Sequence, residues 1–366
     1  ENSHAAAIAN TDRTVFGIQF HPEVDDTTNG DAMIANFVIE ICGCRPTWDM
    51  HQFVESELAR IRDQVGDQSV FLLASGGVDS TVAAKLIGMA LPEGRLKLLH
   101  VDNGLMRKDE SAQVIQMFEG LGLGENLHFI DASQDFLDAM EGMVEPEAKR
   151  HAIGQTFVDV FDREAKRLGI IDHLLGQGTI YPDAVETGGT KRAHTIKTHH
   201  NVGGLPEDMK LELVEPLREL FKDEVREVGR ALEISERLVG RHPFPGPGLG
   251  IRIMGEVTPE RLAPLRRADA IMNEEIRAAG LYDEIWQALV VFLPVSSVGV
   301  MGDARTYENV VAVRCVTSTD AMTADFAHVP WPVLGKISNR IINEVTGINR
   351  VAYDISSKPP GTIEWE

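Results

Sequence analysis

Hydrophobic positions follow two alternating patterns between residues 49 and 176. Short apolar runs, typical of buried strands, occur at 70–74, 96–101, 127–130 and 172–176. Amphipathic stretches, typical of helices, occur at 49–65, 81–90, 109–118 and 147–168. Strands and helices of these lengths in alternation predict an α/β fold, with a parallel sheet covered by helices on both faces. Ligands bind such sheets beyond the carboxyl ends of the strands.

A different pattern begins near residue 241. The stretch 241–248 contains three prolines and predicts a rigid, extended segment. The apolar positions beyond it predict, in order, a helix over 259–279, strands over 288–295 and 309–316, a helix over 332–345 and a strand over 350–355. The wider spacing of these strands indicates a smaller α+β domain, which we place at 241–366.

The first 45 residues contain too few apolar elements for a core of their own. They hold one strand-like run, 15–20, and one helical face, 32–42. We therefore expect residues 1–45 to be the end of a domain that is mostly absent, and the missing initiator methionine indicates a fragment or a processed chain. Residues 46–48 are the expected linker, and 46–240 the expected central domain.

Composition narrows the class of protein. The chain has 366 residues, of which 43% are hydrophobic and 25% charged, as is ordinary for a soluble protein. Its net charge of −21 argues against a surface that coats nucleic acid. Three cysteines fit no disulfide framework, and no apolar run is long enough to span a membrane. We expect a cytoplasmic protein that binds neither nucleic acid nor membranes.

A glycine-containing loop joins the first predicted strand to the following helix. Its sequence is Ser75, Gly76, Gly77, Val78, Asp79, Ser80. Backbone amides at a helix N-terminus bind anions, and glycines let the backbone approach phosphate oxygens. We expect Ser80 to cap the helix, and Asp79 to suit such a site only if Mg²⁺ bridges it to the phosphates. No Walker lysine follows, so the loop is predicted to hold a different part of the nucleotide.

A long polar segment, 184–210, interrupts the alternation. Loops of this length in compact domains are usually functional or disordered. Its positive charges suit a lid over phosphates, and the residues that provide them are Lys191, Arg192, Lys197, His199 and His200.

Cysteines and the C-terminal residues are the remaining candidates for functional sites. Cys42 and Cys44 lack a second pair or a histidine cluster that would complete a metal site, so idle thiols are expected. Residues 358–366 contain a rigid Pro-Pro-Gly and end on Ile-Glu-Trp-Glu, a composition that predicts a docked segment. Within it, Lys358 is placed to meet a phosphate and Glu364 to accept hydrogen bonds from a base edge.

Two of these motifs resemble known families. The glycine loop resembles the pyrophosphate loop of the N-type ATP pyrophosphatases, which cut ATP between the α- and β-phosphates. Residues 17–24, which include His21 and Glu23, resemble the closing segment of class I glutamine amidotransferases, where these two residues form a triad with a cysteine. No cysteine here lies in a Gly-x-Cys-x-Gly elbow, so we expect no glutamine hydrolysis by this polypeptide.

Taken together, the motifs resemble the GMP synthase family. The similarity runs from residue 9 to 366 and includes the segments 101–107, 176–183, 196–207, 241–250, 298–303 and 358–366. It implies the adenine nucleotide α-hydrolase-like fold, a homodimer formed by the C-terminal domain, and amination of XMP with ATP, Mg²⁺ and ammonia, which the complete protein would draw from glutamine.

The resemblance also implies roles for individual residues. Asp79 would hold Mg²⁺ and act in catalysis with Lys197. ATP and pyrophosphate would be bound by Ser75, Gly76, Gly77, Val78, Asp79, Ser80, Thr81, Val101, His199 and His200. XMP would be bound by Arg107, Arg241, Pro243, Phe244, Pro245, Gly246, Pro247, Gly248, Gln287, Lys358 and Glu364.

The sequence leaves two alternative functions open. The first is another enzyme of the same superfamily, but a tRNA-thiolating enzyme would require a basic face or catalytic cysteines. NAD synthetase, also of that superfamily, would not explain the His-Pro-Glu segment or the C-terminal residues. The second alternative function is that of a non-catalytic subunit that senses ATP or XMP. The joint presence of Asp79, Lys197 and Lys358 argues against it.

Overall fold

The first 53 residues form a small unit separate from the rest of the chain. The computed structural model describes residues 5–24, 27–47, 49–170, 173–188, 212–301, 304–318 and 322–366. In the small unit, β1 (Ala7–Ala9) pairs antiparallel with β2 (Phe16–Ile18). Helix α1 (Gly30–Ala35) continues into a π-helical turn, Asn36–Ile41. Its large apolar side chains are exposed, so the described part of this unit has little core.

A parallel five-stranded sheet forms the centre of the second unit, as the alternating pattern predicts. The strand order is β5 (Leu127–Asp131), β4 (Leu96–Asp102), β3 (Val70–Leu73), β6 (Leu174–Gly176) and β7 (Leu213–Val214). Four of these strands coincide with predicted apolar runs. The fifth, β7, has two residues, too few to produce a pattern.

Helices cover both faces of this sheet. They are α2 (Met50–Val65), α3 (Val78–Ala90), α4 (Glu110–Gly120), α5 (Ser133–Ala139), α6 (Pro146–Leu168), α7 (Tyr181–Gly188), α8 (Lys222–Ala231) and α9 (Glu236–Val239). Neighbouring residues of a strand point to opposite faces. The ring of Phe71 lies 5.0 Å from that of Phe161 on α6, whereas Leu72 faces Ile87 of α3 next to Gly176. The predicted two-sided covering is therefore confirmed.

The prediction of a loop from residue 184 is wrong at its start. Residues 184–188 continue helix α7, which begins at Tyr181. The rest of the predicted lid, including Lys191, Arg192, Lys197, His199 and His200, lies outside the described residues.

The C-terminal part is built on a long antiparallel hairpin. Its elements are α10 (Pro259–Ala278), β8 (Gln287–Met301), β9 (Ala304–Thr317), β10 (Asp325–Phe326), α11 (Trp331–Glu344) and β11 (Ile348–Tyr353). Strand β9 pairs antiparallel with β8 and β10 and parallel with β11. The hairpin strands extend beyond the predicted 288–295 and 309–316. The prediction stopped short because the outer halves of the strands are exposed and lack the apolar run of a buried strand.

One hydrophobic core joins this part to the five-stranded sheet. Phe71 and Leu99 of the sheet belong to the same buried cluster as Leu265 of α10 and Ala288 of β8. The boundary between residues 240 and 241 stays a prediction.

Candidate nucleotide and substrate site

The glycine-containing loop that is predicted to bind phosphate, residues 75–80, is called the phosphate loop below. It lies between the end of β3 at Leu73 and the first turn of α3, which starts at Val78. Gly77 occupies the N-cap position in an extended conformation, so the expectation that Ser80 caps the helix is wrong. Ser80 sits in the first turn instead, where its Oγ donates to Gly77 O at 3.1 Å and lies 2.9 Å from Ser75 Oγ. Thr81 Oγ1 also donates to Gly77 O, at 2.8 Å. These bonds fix the turn while the first amides of the helix point out of its N-terminus.

Gly76 cannot be replaced without distorting this loop. Its φ of +76° lies in the left-handed region, which strongly favours glycine. A Cβ there would also lie 2.3 Å from Cγ2 of Val114 on α4. The residue is therefore required both by its backbone conformation and by the close approach of a neighbouring helix.

Asp79 forms an ion pair with Lys222 at the mouth of the loop. Lys222 Nζ donates to both carboxylate oxygens, at 2.6 and 2.5 Å. The pair is partly exposed, with 29% of the Asp79 and 45% of the Lys222 side chain accessible. Sequence reasoning missed Lys222, which is the first residue of α8. One feature of the sequence could have predicted the start of this helix, namely Glu224. Its carboxylate accepts a hydrogen bond from the backbone N–H of Phe221 at 2.7 Å, as in a capped helix N-terminus.

The end of β4 supports the base of the phosphate loop. His100 Nδ1 donates to the carbonyl of Ala74, the residue before Ser75, at 2.8 Å. Burial lowers the pKa of the His100 imidazole, so the ring is held neutral in a donating tautomer. The next residue, Val101, is half-buried on the strand beside β3, which places this predicted adenine contact near the loop.

Arg241 joins the loop to the proline-containing segment. Its Nη1 donates to Gly76 O at 3.0 Å, and its Nη2 donates to the buried carboxylate of Glu110. A residue predicted to bind XMP therefore contacts the backbone of a residue predicted to bind phosphate.

The proline segment is extended only as far as Pro245, so the prediction of an extended stretch to residue 248 is partly wrong. Gly248 N donates to Pro245 O at 2.9 Å, closing a turn that leads into the 3-10 helix Gly248–Arg252. Gly248 has a φ of +65°, and a Cβ there would meet Leu105 O at 2.5 Å. Pro243 and Gly246 are exposed, whereas Phe244, Pro245 and Pro247 are half-buried.

Beyond the proline segment, buried charges converge around Phe244. The guanidinium carbons of Arg107 and Arg252 lie 4.5 and 5.2 Å from the centre of its ring. Asp269 lies between the two arginines, 3.3 Å from Arg107 Nε and 3.6 Å from Arg252 Nη1. Burial lowers the pKa of the Arg107 guanidinium, and Asp269 opposes that effect. Two nitrogens of Arg107, Nε and Nη2, have no hydrogen-bond partner among the described residues.

Glu364 also belongs to this cluster. Its carboxylate accepts hydrogen bonds from Arg252 at 2.8 and 3.1 Å and from Gln287 Nε2 at 2.7 Å. Gln287 is 3% exposed, so the structure places this predicted XMP contact behind Glu364.

Residues 358–366 dock against the rest of the second unit, as predicted, and the docked stretch begins earlier, at Asp354. Arg314, which is fully buried, donates to the carboxylate of Asp354 and to the carbonyls of Ser356, Thr362 and Ile363. The carboxylate of Glu366 accepts a hydrogen bond from the buried Lys149 of α6. Lys358 is half-buried, and its backbone pairs with Ala324.

In the small unit, His21 and Glu23 are hydrogen-bonded but exposed. His21 Nδ1 lies 2.6 Å from Glu23 Oε1. Hydrogen bonding to its own backbone amide, and then to His21, lowers the pKa of Glu23. This is the geometry in which a carboxylate orients an imidazole. Cys42 and Cys44 are exposed, whereas Cys315 is buried and its pKa is raised by burial to about 12.

The described residues contain no group of three or more His, Cys, Asp or Glu side chains positioned to bind a metal ion. They also contain no helix that is long and apolar enough to span a membrane.

Two family models match the chain. The model of the GMP synthase C terminal domain matches residues 274–365, and that of glutamine amidotransferase class-I matches residues 1–41. The chain is also similar to the solved structure of an NMN synthetase from Francisella tularensis, at 16% identity and a TM-score of 0.42, covering 56% of this chain and 79% of that one. That likeness is too remote to add to the fold described above.

Curated relatives match almost the whole chain. The GMP synthase (glutamine-hydrolyzing) of Vibrio cholerae is 56% identical over 363 residues, which cover 99% of this chain and 70% of the relative. That of Symbiobacterium thermophilum is 54% identical over 366 residues, which cover 100% of this chain and 71% of the relative. More than half of the residues are identical over nearly the whole chain and over more than two thirds of each relative, and the chain therefore belongs to the GMP synthase family.

Proposed function

We propose that the chain aminates XMP to GMP, using ATP and ammonia and releasing AMP and pyrophosphate. The observation that carries this proposal is the bond from Arg241 to Gly76 O. It joins the loop suited to pyrophosphate to the cluster suited to XMP, as transfer of an adenylyl group between two bound nucleotides requires.

The chemistry has two steps. The C2 oxygen of xanthine is a poor leaving group, so it first attacks the α-phosphate of ATP. The bond to the β-phosphate breaks, pyrophosphate leaves, and adenyl-XMP is formed. Ammonia then attacks C2, the C2–O bond breaks, and AMP departs while the nitrogen loses a proton.

Charge that develops on the pyrophosphate is met by the first amides of α3 and by Lys222. The helix N-terminus favours anions, and a fixed cation at the loop strengthens that preference. A preorganised arrangement of this kind stabilises a departing pyrophosphate more than it stabilises bound ATP.

The residues present also suit Mg²⁺. This ion usually takes only one or two protein carboxylates and completes its shell with water and substrate phosphates. Asp79 fits that role because its carboxylate already holds a cation, the ammonium of Lys222, at the mouth of the loop. When bound, the ion would neutralise charge on the phosphates.

The XMP side of the site is assigned to the charged cluster around Phe244. Arg107 Nε faces Asp269, but Nη2 has no partner among the described residues and is a donor for an anionic or carbonyl oxygen. Glu364, 17% exposed, provides an acceptor for the N–H groups of xanthine. Lys358 and the segment from Arg241 to Gly248 complete the proposed contacts.

Ammonia is the proposed nitrogen source for this polypeptide. His21 and Glu23 supply two members of an amidotransferase triad, but none of Cys42, Cys44 and Cys315 lies in a nucleophile elbow. We also propose a homodimer formed through the C-terminal hairpin.

A direct assay tests the function. The chain is incubated with ATP, Mg²⁺ and XMP plus either ammonium or glutamine, and loss of XMP absorbance and release of pyrophosphate are followed. We expect turnover with ammonium only. In a Lys222→Met variant the rate should fall by roughly 100-fold or more, the usual effect of removing one donor to developing charge.

Lys85 provides the matched control. It lies on α3, as Asp79 does, but its ammonium donates to the carbonyl of Leu121, the residue that follows α4. A Lys85→Met variant should keep the wild-type rate. If the wild-type chain binds ATP and XMP but releases no pyrophosphate with either nitrogen source, it is a sensor and the proposed function is wrong.

A further inference from the structure

Arg252 is one of the fully buried cations among the described residues. It is the last residue of the 3-10 helix that follows the proline segment. Guanidinium groups are seldom fully buried without a carboxylate partner. Arg252 has two such partners, Asp269 of α10 and Glu364, which is 112 positions away along the chain.

The bond between Arg252 and Glu364 is bidentate. Nη2 donates to one carboxylate oxygen at 2.8 Å and Nε donates to the other at 3.1 Å. Two parallel bonds from a planar fork fix the orientation of the carboxylate as well as its position. Gln287 Nε2 adds a third bond, at 2.7 Å, to the oxygen that faces Nη2. Glu364 is therefore held by Arg252 and Gln287, while 17% of its side chain remains exposed.

Arg252 keeps its charge in this buried position. Burial opposes the charge of Arg252, but Glu364 and Asp269 outweigh it, so the pKa of the guanidinium lies above its ordinary value. A carboxylate paired with such a cation accepts hydrogen bonds and donates none. An N–H edge of a purine is the matching donor.

We propose that Arg252 is a positioning residue for substrate recognition, which holds the Glu364 carboxylate in the orientation that accepts hydrogen bonds from the N–H groups of xanthine. This inference rests on the proposed function, because it names the support behind one of its XMP contacts. Arg252 itself stays behind Glu364 and touches no substrate. Its effect should fall on XMP and not on ATP, whose loop lies at Gly76 and Gly77.

The experiment compares Michaelis constants for the two substrates, with ammonium saturating. Arg252→Met removes the charge and the fork, and Arg252→Lys keeps the charge but not the fork. Because a hydrogen bond to a charged group contributes a factor of roughly 10 to 100, we expect KM for XMP to rise at least about tenfold in Arg252→Met. KM for ATP should stay within about twofold of wild type, and Arg252→Lys should lie between the two.

A double variant separates positioning from general structural damage. If Arg252 acts through Glu364, adding Arg252→Met to Glu364→Gln should raise KM for XMP little beyond the value of Glu364→Gln alone. Arg340, on α11, provides a matched control because it pairs with Glu274, Glu275 and Glu344 away from this cluster. Arg340→Met should leave both Michaelis constants unchanged.

Three results would overturn the inference while the wild-type chain aminates XMP. They are equal rises in both Michaelis constants, no rise in KM for XMP, or fully additive effects in the double variant. Should Arg252→Met fail to fold, Arg252→Lys and the double variant built on it give the same comparison. A wild-type chain that does not use XMP would instead overturn the proposed function.

Discussion

His242 shows how a single residue supports the start of the proline segment. Its ring is stacked on Tyr282, with the centres 3.8 Å apart and the planes at 1°. Its Nε2 donates to Tyr282 O at 2.7 Å, and its backbone N donates to the Tyr282 hydroxyl at 3.0 Å. The neighbouring residue is Arg241, which contacts the phosphate loop. The stack therefore holds the segment in place next to its contact with the phosphate loop.

Acid should weaken this anchor. Burial lowers the pKa of His242 from 6.5 to about 4. Between these values the unfolded chain binds a proton that the folded chain does not, so stability falls as the pH drops from 6.5 to about 4. One pKa unit is worth 1.36 kcal/mol, so the loss below pH 4 is about 3 kcal/mol. Above pH 6.5 this residue causes no loss.

A His242→Phe variant tests the effect by urea unfolding at several pH values. Phenylalanine keeps the stack on Tyr282 but leaves Tyr282 O without its donor, so the variant should be less stable at pH 7.5. Its stability should, however, fall less steeply than that of the wild type between pH 6.5 and 4. Parallel pH profiles for the two proteins would contradict the assignment.

Site residues differ in how far the sequence alone could predict them. Ser75 to Thr81 were predictable because a Gly-Gly turn between a strand and a helix leaves a local pattern. Lys222 and Arg252 were not, because each acts through a partner about 110 residues or more away. No local spacing records such a contact. Gln287 was expected at the substrate, but burial behind Glu364 depends on how β8 packs against the docked residues.

At the scale of elements, β6 and α3 meet through a glycine. Gly178 follows β6, and a Cβ there would lie 2.9 Å from the carbonyl carbon of Asp79 and 3.0 Å from the amide of Ser80. These are backbone atoms and cannot move aside cheaply. The close packing therefore sets the position of the first turn of α3, where the phosphate amides lie.

Gly178→Ala should displace that turn. We expect a stability loss of about 1–3 kcal/mol, as is usual for overpacking, together with a higher KM for ATP. Gly154 in α6 provides the control because a Cβ there meets nothing within 4 Å, and alanine should stabilise that helix by about 0.5–1 kcal/mol. Thermal unfolding and ATP titration measure both effects. An unchanged KM for ATP in Gly178→Ala would show that the contact does not position the loop.

Elements with a clear pattern of apolar positions, such as β4 and α6, were predicted to within a few residues. Helix α8 was missed because it is largely charged and buries only Val225, Val228 and Gly229. The outer hairpin was missed because its few apolar side chains are interspersed with polar ones on an exposed ribbon and form no continuous run.

At the scale of the whole molecule, the outer half of the β8–β9 hairpin is an exposed surface. Val300 is 73% and Tyr307 71% exposed, and Val298 is 48% exposed. A two-stranded ribbon with apolar side chains in water is marginally stable without a partner surface. This supports the proposed homodimer and predicts where its interface lies.

Val300→Lys should therefore weaken the dimer and shift the chain toward a monomer. Met89→Lys provides the control, because Met89 is 45% exposed on α3, a helix that covers the five-stranded sheet and is not part of the hairpin. Light scattering at micromolar concentration reports the mass of each protein. A monomeric wild type, or a Val300→Lys variant that remains dimeric, would place the interface elsewhere or remove it.

The contact between Lys149 and Glu366 sets an order of events during synthesis. These residues are separated by 217 positions. At ~5–20 residues per second, the second is made roughly 10 to 45 s after the first. The strands of the five-stranded sheet all precede residue 215, so the phosphate loop has its framework well before residues 358–366 leave the ribosome. If the proposed site assignments hold, a half-made chain presents the phosphate site without the XMP site, and adenylation waits until residues 358–366 have docked.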